Sequence, residues 1–481
     1  MKSRLPILRL SNIFNLPAEM FVLKDEIKIL APCGMLGYGF PKQSFLRGIE
    51  EKPKAIVVDA GSTDGGPHKL GAGVSIVSRR AAKKDLELMI VYGLKLKIPI
   101  IIGSAGGSGA RVHVEWTKGI VDEILKEYNL SAKIAIIWAD VSHDLVLKAI
   151  ENKKVVPLGQ GVKPLTPELL KDTTNIVAQM GHEPIVEALK ERAEIIICGR
   201  AYDPAPFAAV GIYHGFDFGL AYHLGKILEC GALCAEPGTT KDSILGILKE
   251  NSFVVKTLNQ HRKCRESSVA AHTFYEKGHP YLLQGPGMVL DLGLCQFTEI
   301  TDGVVEVEKS RFIKKNPYYL KLEGARKVAY RTFFIAGIRD PLLISGIDEI
   351  EALVEQQVRA YFPEISPDDY HINFYNYGKN GVMGNCEDEI FKGYEIGVLL
   401  DVIANTQELA NSICASVRST FLHYGYEGRK ATAGNLAFPF APSDVEFGPV
   451  YEFSVYHLME VDNGRQVFNI EYLEGINDKT I

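Results

Sequence analysis

Residues 98–111 read IPIIIGSAGGSGAR, and residues 112–128, VHVEWTKGIVDEILKEY, place apolar side chains at helical spacing. A short branched apolar run is therefore followed by a glycine-rich loop and an amphipathic helix. This strand–loop–helix unit recurs in the first half of the chain. Its predicted strands are 27–31, 55–60, 98–103, 133–138, 155–158 and 194–198, and its predicted helices include 79–97, 112–128 and 143–151.

The pattern predicts the fold class. Strands that are apolar on both faces are buried on both faces, which is typical of a parallel sheet covered by helices. We therefore predict a doubly wound, mainly parallel α/β sheet in the N-terminal half. Thr166-Pro167 and Asp203-Pro204 each place a capping side chain before a proline at a predicted helix start.

After about residue 250 the pattern changes to closely spaced strands with fewer helices, which predicts an α+β C-terminal domain. A helix is expected to open at Asn405, with Glu408 completing a capping box. The predicted domains are residues 1–250 and residues 251–481, the second packing over the site. The predicted strands of the second half are 253–258, 281–283, 304–308, 332–338, 371–377 and 395–403.

Composition and charge exclude several classes of protein. The 481 residues are 46% hydrophobic and 23% charged, which is ordinary globular usage. The formal net charge is −6, and no block of like charges marks a nucleic-acid or membrane surface. The apolar stretches are too short to cross a bilayer. We therefore expect a small-molecule ligand, with no nucleic acid and no membrane as partner.

The N-terminus and the cysteines indicate the compartment. Arg9, Pro17 and Glu19 interrupt the N-terminal segment, which lacks a small-residue cleavage site, so we expect no signal peptide. The eight cysteines are dispersed, and Cys230 and Cys234 have no second pair to complete a zinc site. We expect reduced thiols in a cytoplasmic protein.

Small and polar residues follow five of the predicted strands. These loops begin near Cys33, Asp59, Gly103, Asp140 and Cys198. Because the carboxyl ends of parallel strands meet at one edge, ligands bind there in open α/β sheets. Gly and Asp are also ordinary turn formers, but five such loops favour a site.

The loop of residues 103–110 could hold an anion, since its glycines free backbone N–H groups and a helix follows. It matches neither a Walker loop nor a clean G-x-G-x-x-G, so nucleotide binding is only an alternative. The predicted substrate-binding residues of the first half are Gly37, Ser62, Thr63, Ser104, Gly106, Gly107, Ser108 and Arg111.

Four residues are the predicted catalytic set: Asp59, Asp64, Arg200 and Asp203. Arg200 could bind a carboxylate through two of its guanidinium nitrogens, and Asp203 could cap the next helix. Burial or a neighbouring carboxylate could raise the pKa of Asp59 or Asp64 for proton transfer. Alternatively, Asp59, Asp64 and Asp140 could hold a divalent cation.

The second half supplies four further predicted substrate-binding residues: His272, Arg339, Lys430 and Asn435. Each alone is typical of a surface or interface. The glycine-rich, polar segment 425–435 could be a loop that closes over the crevice.

Several motifs together resemble the acyclic terpene utilisation family of AtuA-type proteins, over most of residues 27–458. The motifs are VDAGSTDGG (58–66), GSAGGSG (103–109), CGRAYDP (198–204), LEGARK (322–327), AGIRDP (336–341) and ATAGNLAFPF (431–440). The resemblance implies a role in the degradation of branched isoprenoids, whose acids are processed as coenzyme A thioesters. It also implies a small ferredoxin-like domain, fused in some relatives and separate in others.

The resemblance and the residues lead to one favoured function with alternatives. The chain ends soon after Leu458, so we expect the small domain as a separate subunit, and the chain as a homo-oligomer. We expect a lyase or isomerase that adds or removes water beside the carboxyl or thioester group of a short acid. No resident cofactor is expected. The alternatives are a non-catalytic acyl-binding subunit and a nucleotide-dependent enzyme.

Overall fold

The computed structural model of the chain describes residues 26–275, 278–387, 393–430 and 432–475. The segment on which the signal-peptide prediction depends lies outside these ranges. The strands, in chain order, are β1 (Ile27–Ala31), β2 (Ala55–Asp59), β3 (Ile100–Gly103), β4 (Lys133–Ile137), β5 (Val155–Pro157), β6 (Asn175–Ala178), β7 (Ile195–Cys198), β8 (Ala235–Glu236), β9 (Ile244–Leu248), β10 (Ser252–Thr257), β11 (Lys263–Cys264), β12 (Leu282–Gly285), β13 (Met288–Asp291), β14 (Gln296–Thr301), β15 (Val304–Glu308), β16 (Arg311–Lys314), β17 (Tyr318–Ile338), β18 (Tyr370–Tyr377), β19 (Ile396–Ala404), β20 (Val445–Val461) and β21 (Ile470–Glu474).

Helices separate most of the strands in the first half of the chain. The helices of the described chain are α1 (Lys42–Glu50), α2 (His68–Ala72), α3 (Arg79–Leu96), α4 (Arg111–Glu127), α5 (His143–Glu151), α6 (Pro167–Lys171), α7 (Glu183–Lys190), α8 (Ala205–Tyr213), α9 (Phe218–Leu228), α10 (Glu266–Phe274), α11 (Pro341–Ser345), α12 (Ile347–Tyr361) and α13 (Gln407–His423). In the second half, α12 precedes β18 and α13 follows β19.

The first sheet confirms the predicted fold class. Within the described residues it has ten strands in the order β14-β15-β10-β9-β1-β2-β3-β7-β4-β21. Strands β1, β2, β3, β7 and β4 are parallel neighbours, and antiparallel strands extend both edges. Side chains alternate along the parallel strands, so that Ile29 and Val57 join one core and Leu30 and Ile56 join the other. Both faces of this sheet are therefore covered, as near-continuous apolar strands require.

A second sheet is built around β17, a strand of 21 residues. Its order in the described chain is β18-β19-β17-β20-β5, and β6 pairs with β17 as well. The elements β17, α12, β18, β19, α13 and β20 follow one another as a βαββαβ unit, the arrangement of ferredoxin-like folds. Helices α12 and α13 pack on this unit, which has a core cluster of its own between Phe334 and Leu436.

Three local predictions are wrong. The apolar run at 155–158 forms β5, which pairs with β20 in the second sheet, because the chain leaves the parallel sheet after α5. Asp203 does not cap α8, which begins after Pro204 without a side-chain cap. The N-cap of α13 is Thr406, not Asn405, and the Thr406 hydroxyl accepts a bond from the Leu409 N–H.

The proposed boundary at residue 250 remains a prediction, but the sheets do not follow it. The hairpin of β9 and β10 spans that position, and β14, β15 and β21 all complete the first sheet. The C-terminal strand β21 pairs antiparallel with β4. The first sheet therefore depends on chain segments from both halves.

Candidate functional site

The loops that follow β1, β2, β3, β7 and β4 lie at one edge of the first sheet, because these five strands are parallel neighbours. Two of the loops touch: a Cβ on Gly61 would lie 3.0 Å from the Cα of Gly107. The loop after β1 also contacts a later segment, since the Gly34 N–H donates to the Thr240 carbonyl at 2.8 Å. The predicted convergence of loops at this edge is confirmed.

The glycine-rich loop of residues 103–110 is buried. Its N–H groups are used within the protein: those of Ala105, Gly107 and Gly109 donate to the carbonyls of Cys198, Ser104 and Ala105. Gly109 has φ +66°, and a Cβ there would lie 2.5 Å from the Cα of Arg200. The loop therefore packs against the end of β7, and these three N–H groups do not point at a ligand.

Arg200 lies at the end of β7, and its side chain is 2% exposed. Its Nε donates to Glu323 Oε2 at 2.8 Å, and its Nη1 donates to Asp203 Oδ1 at 2.8 Å and to Ser104 Oγ at 3.1 Å. Burial alone would lower the pKa of Arg200, but the charges of Glu323 and Asp203 outweigh it and raise the pKa. Arg200 is thus a buried cation held between two carboxylates.

Glu323, on β17, is the centre of these contacts, and its side chain is 0% exposed. The Thr63 hydroxyl donates to Glu323 Oε1 at 2.7 Å, and the Lys321 ammonium lies 2.6 Å from the same oxygen. Burial opposes ionisation of Glu323, but Arg200 and Lys321 outweigh it and lower the pKa to about 2. Glu323 is therefore ionised and joins the second sheet to the loops after β2 and β7.

Asp59 ends β2 and is buried. Its Oδ2 accepts the Gly61 N–H at 3.1 Å, whereas its Oδ1 is buried and has no hydrogen-bond partner in the part of the chain that is described. Desolvation is the main reason that its pKa lies well above the ordinary value, and the charges of Asp203 and Glu229 raise it further. Asp59 therefore has the environment of a carboxylic acid that keeps its proton.

A second group of polar side chains lies on and after α9. The Lys226 ammonium is 2.6 Å from Glu229 Oε1, and both side chains are largely buried. Burial is the main reason that the pKa of the Tyr202 hydroxyl is raised. The pKa is also shifted by the charges of Glu229, Lys226 and Asp203. The charges of Asp203 and Glu229 act on Asp59 as well, so this group adjoins the same edge.

His272 borders this group. It is buried on α10 and stacks on Tyr275 with ring centroids 4.9 Å apart. The Tyr275 hydroxyl lies 3.2 Å from Cys230 Sγ, and burial raises the pKa of Cys230 to about 12. Of the residues predicted in the second half, His272 therefore lies beside the edge that carries Asp203 and Glu229.

Asp64 and Asp140 have other environments. Asp64 is exposed, and its own N–H donates to the Ser62 hydroxyl at 3.2 Å. Asp140 accepts the Arg111 N–H at the start of α4, 2.9 Å away, and burial raises its pKa. No group of three His, Cys, Asp or Glu side chains suited to a metal occurs within the described ranges. Asp59, Asp64 and Asp140 are therefore not assembled as metal ligands.

Gly37, Arg111 and Gly106, which were also predicted to bind substrate, have partners inside the fold, whereas the Ser108 hydroxyl does not. The Gly37 N–H donates to the buried Asp85 carboxylate at 2.8 Å. Arg111 lies over the Trp138 ring, 3.9 Å from its centroid. The Ser108 hydroxyl is buried within the glycine-rich loop and has no hydrogen-bond partner among the described residues. Gly106 packs on His113 of α4.

Arg339 and Asn435 lie elsewhere. They line a cavity of about 710 Å³ at the far end of β17, together with Arg429. At about 3.3 Å per residue, this end is roughly 50 Å along the strand from Glu323. Asn435 donates to the carbonyls of Phe421 and Tyr424 at the end of α13.

The predicted loop closure is therefore wrong for the described part of segment 425–435. Gly434 packs against Leu422 of α13, and Gly428 packs against Leu342 of α11. Lys430 is exposed in the same segment. This segment therefore packs on helices α11 and α13 of the second sheet's own unit. Its Asn435 side chain satisfies carbonyl groups at the end of α13. Ala431 lies outside the described residues.

The comparisons with known proteins agree with the motifs. Residues 80–435 match the family described as acyclic terpene utilisation family protein AtuA. The chain belongs to the AtuA family. This membership indicates a role in metabolism connected with acyclic terpene utilisation. No curated protein and no solved structure matches the chain. Among the helices of the described AtuA chain, none is both long and apolar enough to cross a membrane.

Sequence reasoning missed Glu323, Lys226, Glu229 and Tyr202 as members of the site. Glu323 falls within the motif LEGARK, and Tyr202 falls within CGRAYDP. The two motifs were therefore the available signal. Lys226 lies on the largely apolar helix α9, and Glu229 follows it. As single charged residues near a helix end, they resemble surface residues in sequence.

Proposed function

We propose that this AtuA-family protein is an enzyme that exchanges a proton beside the carboxyl or thioester group of a short acid, branched or unbranched. The reaction would add or remove water, or shift a double bond, as a lyase or isomerase does. The observation that carries the proposal is Asp59, a buried carboxyl with a raised pKa and an unpartnered oxygen at the loop edge of the sheet. Such groups occur preferentially at catalytic sites.

Asp59 suits proton exchange better than Asp64. A catalytic carboxyl works as acid and base when its pKa is raised from the ordinary value, and burial provides this. Asp59 is buried, whereas Asp64 is exposed to water. In the proposed step, Asp59 Oδ1 carries the exchanged proton.

Arg200 would bind the anionic end of the substrate only after a change of partner. Glu323 holds one side of the guanidinium, and Asp203, whose side chain is 27% exposed, holds the other. A substrate carboxylate that replaces Asp203 would meet a planar pair of donors already fixed by Glu323. Glu323 is a positioning residue in this proposal, because it acts through Arg200.

The remaining parts of the proposal concern the cofactor, the chemical form of the substrate and the subunit composition. The chemistry uses protein side chains and requires no resident cofactor, and the substrate is either the free acid or its coenzyme A thioester. A separate small subunit with a ferredoxin-like fold would complete the site, in a cytoplasmic homo-oligomer. Full activity of this chain purified alone would contradict the need for that subunit.

Solvent exchange tests the proposal without knowledge of the full reaction. The protein is incubated in D₂O with a panel of short branched and unbranched acids and their coenzyme A thioesters, and deuterium next to the carbonyl carbon is followed by NMR. Exchange with at least one member of the panel is expected. Asp59→Asn should lower its rate by roughly 10²- to 10⁴-fold, the usual contribution of a positioned acid or base.

Asp64→Asn is the matched control, since it makes the same chemical change five residues along the same loop. We expect it to leave the exchange rate near that of the unmodified protein. Equal rates for Asp59→Asn and the unmodified protein would remove Asp59 from the mechanism, and a large loss in Asp64→Asn would transfer the role to Asp64. Binding of panel members without any exchange would favour a non-catalytic acyl-binding subunit.

A further inference from the structure

The ferredoxin-like unit contains a buried acid that takes no part in the proposed reaction. Glu351, on α12, is 7% exposed, and Asn376, on β18, is 3% exposed. The Asn376 Nδ2 donates to Glu351 Oε2 at 3.1 Å. The two side chains therefore meet across the contact between the helix and the edge strand.

The other two atoms of this pair are unsatisfied. Glu351 Oε1 and Asn376 Oδ1 are buried and have no hydrogen-bond partner among the described residues. While Glu351 is ionised both atoms are acceptors, so neither can satisfy the other. A buried acceptor left unpaired is costly. A proton on Glu351 Oε1 would change this atom from an acceptor into a donor, which is what the unpaired Asn376 Oδ1 lacks.

We propose that Glu351 and Asn376 form a proton-dependent latch, in which the neutral carboxyl and the amide make two antiparallel hydrogen bonds. Asn376 Nδ2 donates to Glu351 Oε2, and Glu351 Oε1 donates to Asn376 Oδ1. The latch fastens the end of β18 to α12. Ionisation of Glu351 breaks the second bond and leaves a buried charge, which loosens this contact.

The environment of Glu351 supports the latch. Burial raises the pKa of Glu351 to about 7, outweighing the hydrogen bond from Asn376, which lowers it. Asp348, one turn earlier on α12, raises the pKa, and Lys379, in the turn after β18, lowers it. Lys379 is itself ion-paired with Asp348. In the described chain, no charged group of α11 or α13 is among the causes of this shift.

The latch holds more than two side chains. The Asn376 carbonyl accepts the N–H groups of Lys379, Asn380 and Gly381, so the whole turn after β18 depends on the position of Asn376. The next residues, Val382 and Met383, are 83% and 55% exposed. Ionisation of Glu351 is therefore expected to loosen this turn at the edge of the second sheet.

The sign of the pH dependence follows from the direction of the shift. The folded protein keeps the Glu351 proton up to about pH 7, whereas the unfolded chain loses it near pH 4.5. The stabilisation is therefore present below pH 4.5 and is lost as the pH rises to 7. Across this window the unfolding equilibrium constant should rise by roughly 10²- to 10³-fold because of this group alone.

The test is urea unfolding of the full chain between pH 4.5 and 8.5, comparing the unmodified protein with Glu351→Gln. A glutamine amide can make the same two bonds at every pH. We therefore expect the unfolding equilibrium constant of Glu351→Gln to match that of the unmodified protein at pH 4.5. At pH 8 it should be at least 100-fold smaller than that of the unmodified protein. Glu355→Gln, at a half-buried ion pair with Arg359 one turn further on α12, is the matched control and should follow the pH dependence of the unmodified protein.

Hydrogen exchange gives a second measurement on folded protein. Protection of the amides of residues 379–381 should decrease between pH 5 and 8 in the unmodified protein, after correction for intrinsic rates, and should stay constant in Glu351→Gln. The latch is overturned if the two proteins show parallel stability curves, or if protection of this turn does not depend on Glu351.

Discussion

At the scale of single residues, Glu323 decides whether the loop edge is assembled. Its two oxygens hold Thr63, Arg200 and Lys321, which come from the loop after β2, the end of β7 and β17 itself. A buried carboxylate with two cationic partners is far more costly to interrupt than a surface ion pair. Substitution of Glu323 should therefore change the free energy of unfolding much more than substitution of Glu452, an exposed glutamate of the same sheet.

We expect Glu323→Gln to lower the free energy of unfolding by about 3 kcal/mol or more, because it leaves buried cations without their counter-charge. Glu452→Gln, which removes the exposed partner of Arg326 on β20, should have little effect. Urea unfolding at pH 7 measures both.

The stabilisation by Glu323 also has a defined pH range. Because its pKa is lowered to about 2 from an ordinary value of 4.5, the contribution is complete above pH 4.5 and is lost as the pH falls towards 2. Glu323→Gln should remove that part of the acid dependence. An unchanged acid profile in Glu323→Gln would contradict the assignment.

Residue types and loop positions were enough to predict part of the site. Asp59, Thr63, Ser104 and Arg200 do meet at one edge, because parallel strands place their loops together. Glu323 could not be paired with Arg200 from sequence, since 123 positions separate them and β17 enters from another sheet. Arg339 and Asn435 were wrongly grouped with this edge because polar loops of the second half look alike in sequence.

At the scale of elements, apolar pattern located strands better than it assigned them to sheets. The run at 27–31 forms β1 as predicted, but the similar run at 155–158 joins the second sheet. Both runs are branched and apolar, so periodicity alone cannot tell which sheet they enter. The pairing of β5 with β20 is set by residues far along the chain.

Two glycines of neighbouring elements should respond to alanine in opposite ways. Gly109 has φ +66°, and a Cβ there would overlap the backbone of Gly199 and Arg200, so Gly109→Ala should cost about 4 kcal/mol or more. Gly119 lies within α4 with no atom within 4 Å of a Cβ, so Gly119→Ala should stabilise by about 0.5–1 kcal/mol. Urea unfolding tests both, and equal effects would contradict the close packing of the loop on β7.

At the scale of the whole molecule, β17 connects the two sheets. One part of it pairs with β6 and carries Glu323 to the loop edge, and its last part pairs with β19 over the second core. The first sheet in turn needs β10, β14, β15 and β21 from the second half of the chain. Sequence reasoning could predict two fold classes but not this exchange of strands, because pairing partners are set by packing rather than by local pattern.

The exchange of strands predicts which fragments fold. A fragment of residues 26–250 lacks β10 and β21 and exposes β9 and β4 as unpaired edges, so we expect it to aggregate or remain unfolded. A fragment of residues 318–461 keeps the βαββαβ unit and a core made only of its own residues, so we expect a cooperative urea transition. Circular dichroism during urea unfolding measures both. A cooperative transition for residues 26–250 alone would instead support an independent domain ending near residue 250, with the later strands as additions to a stable sheet.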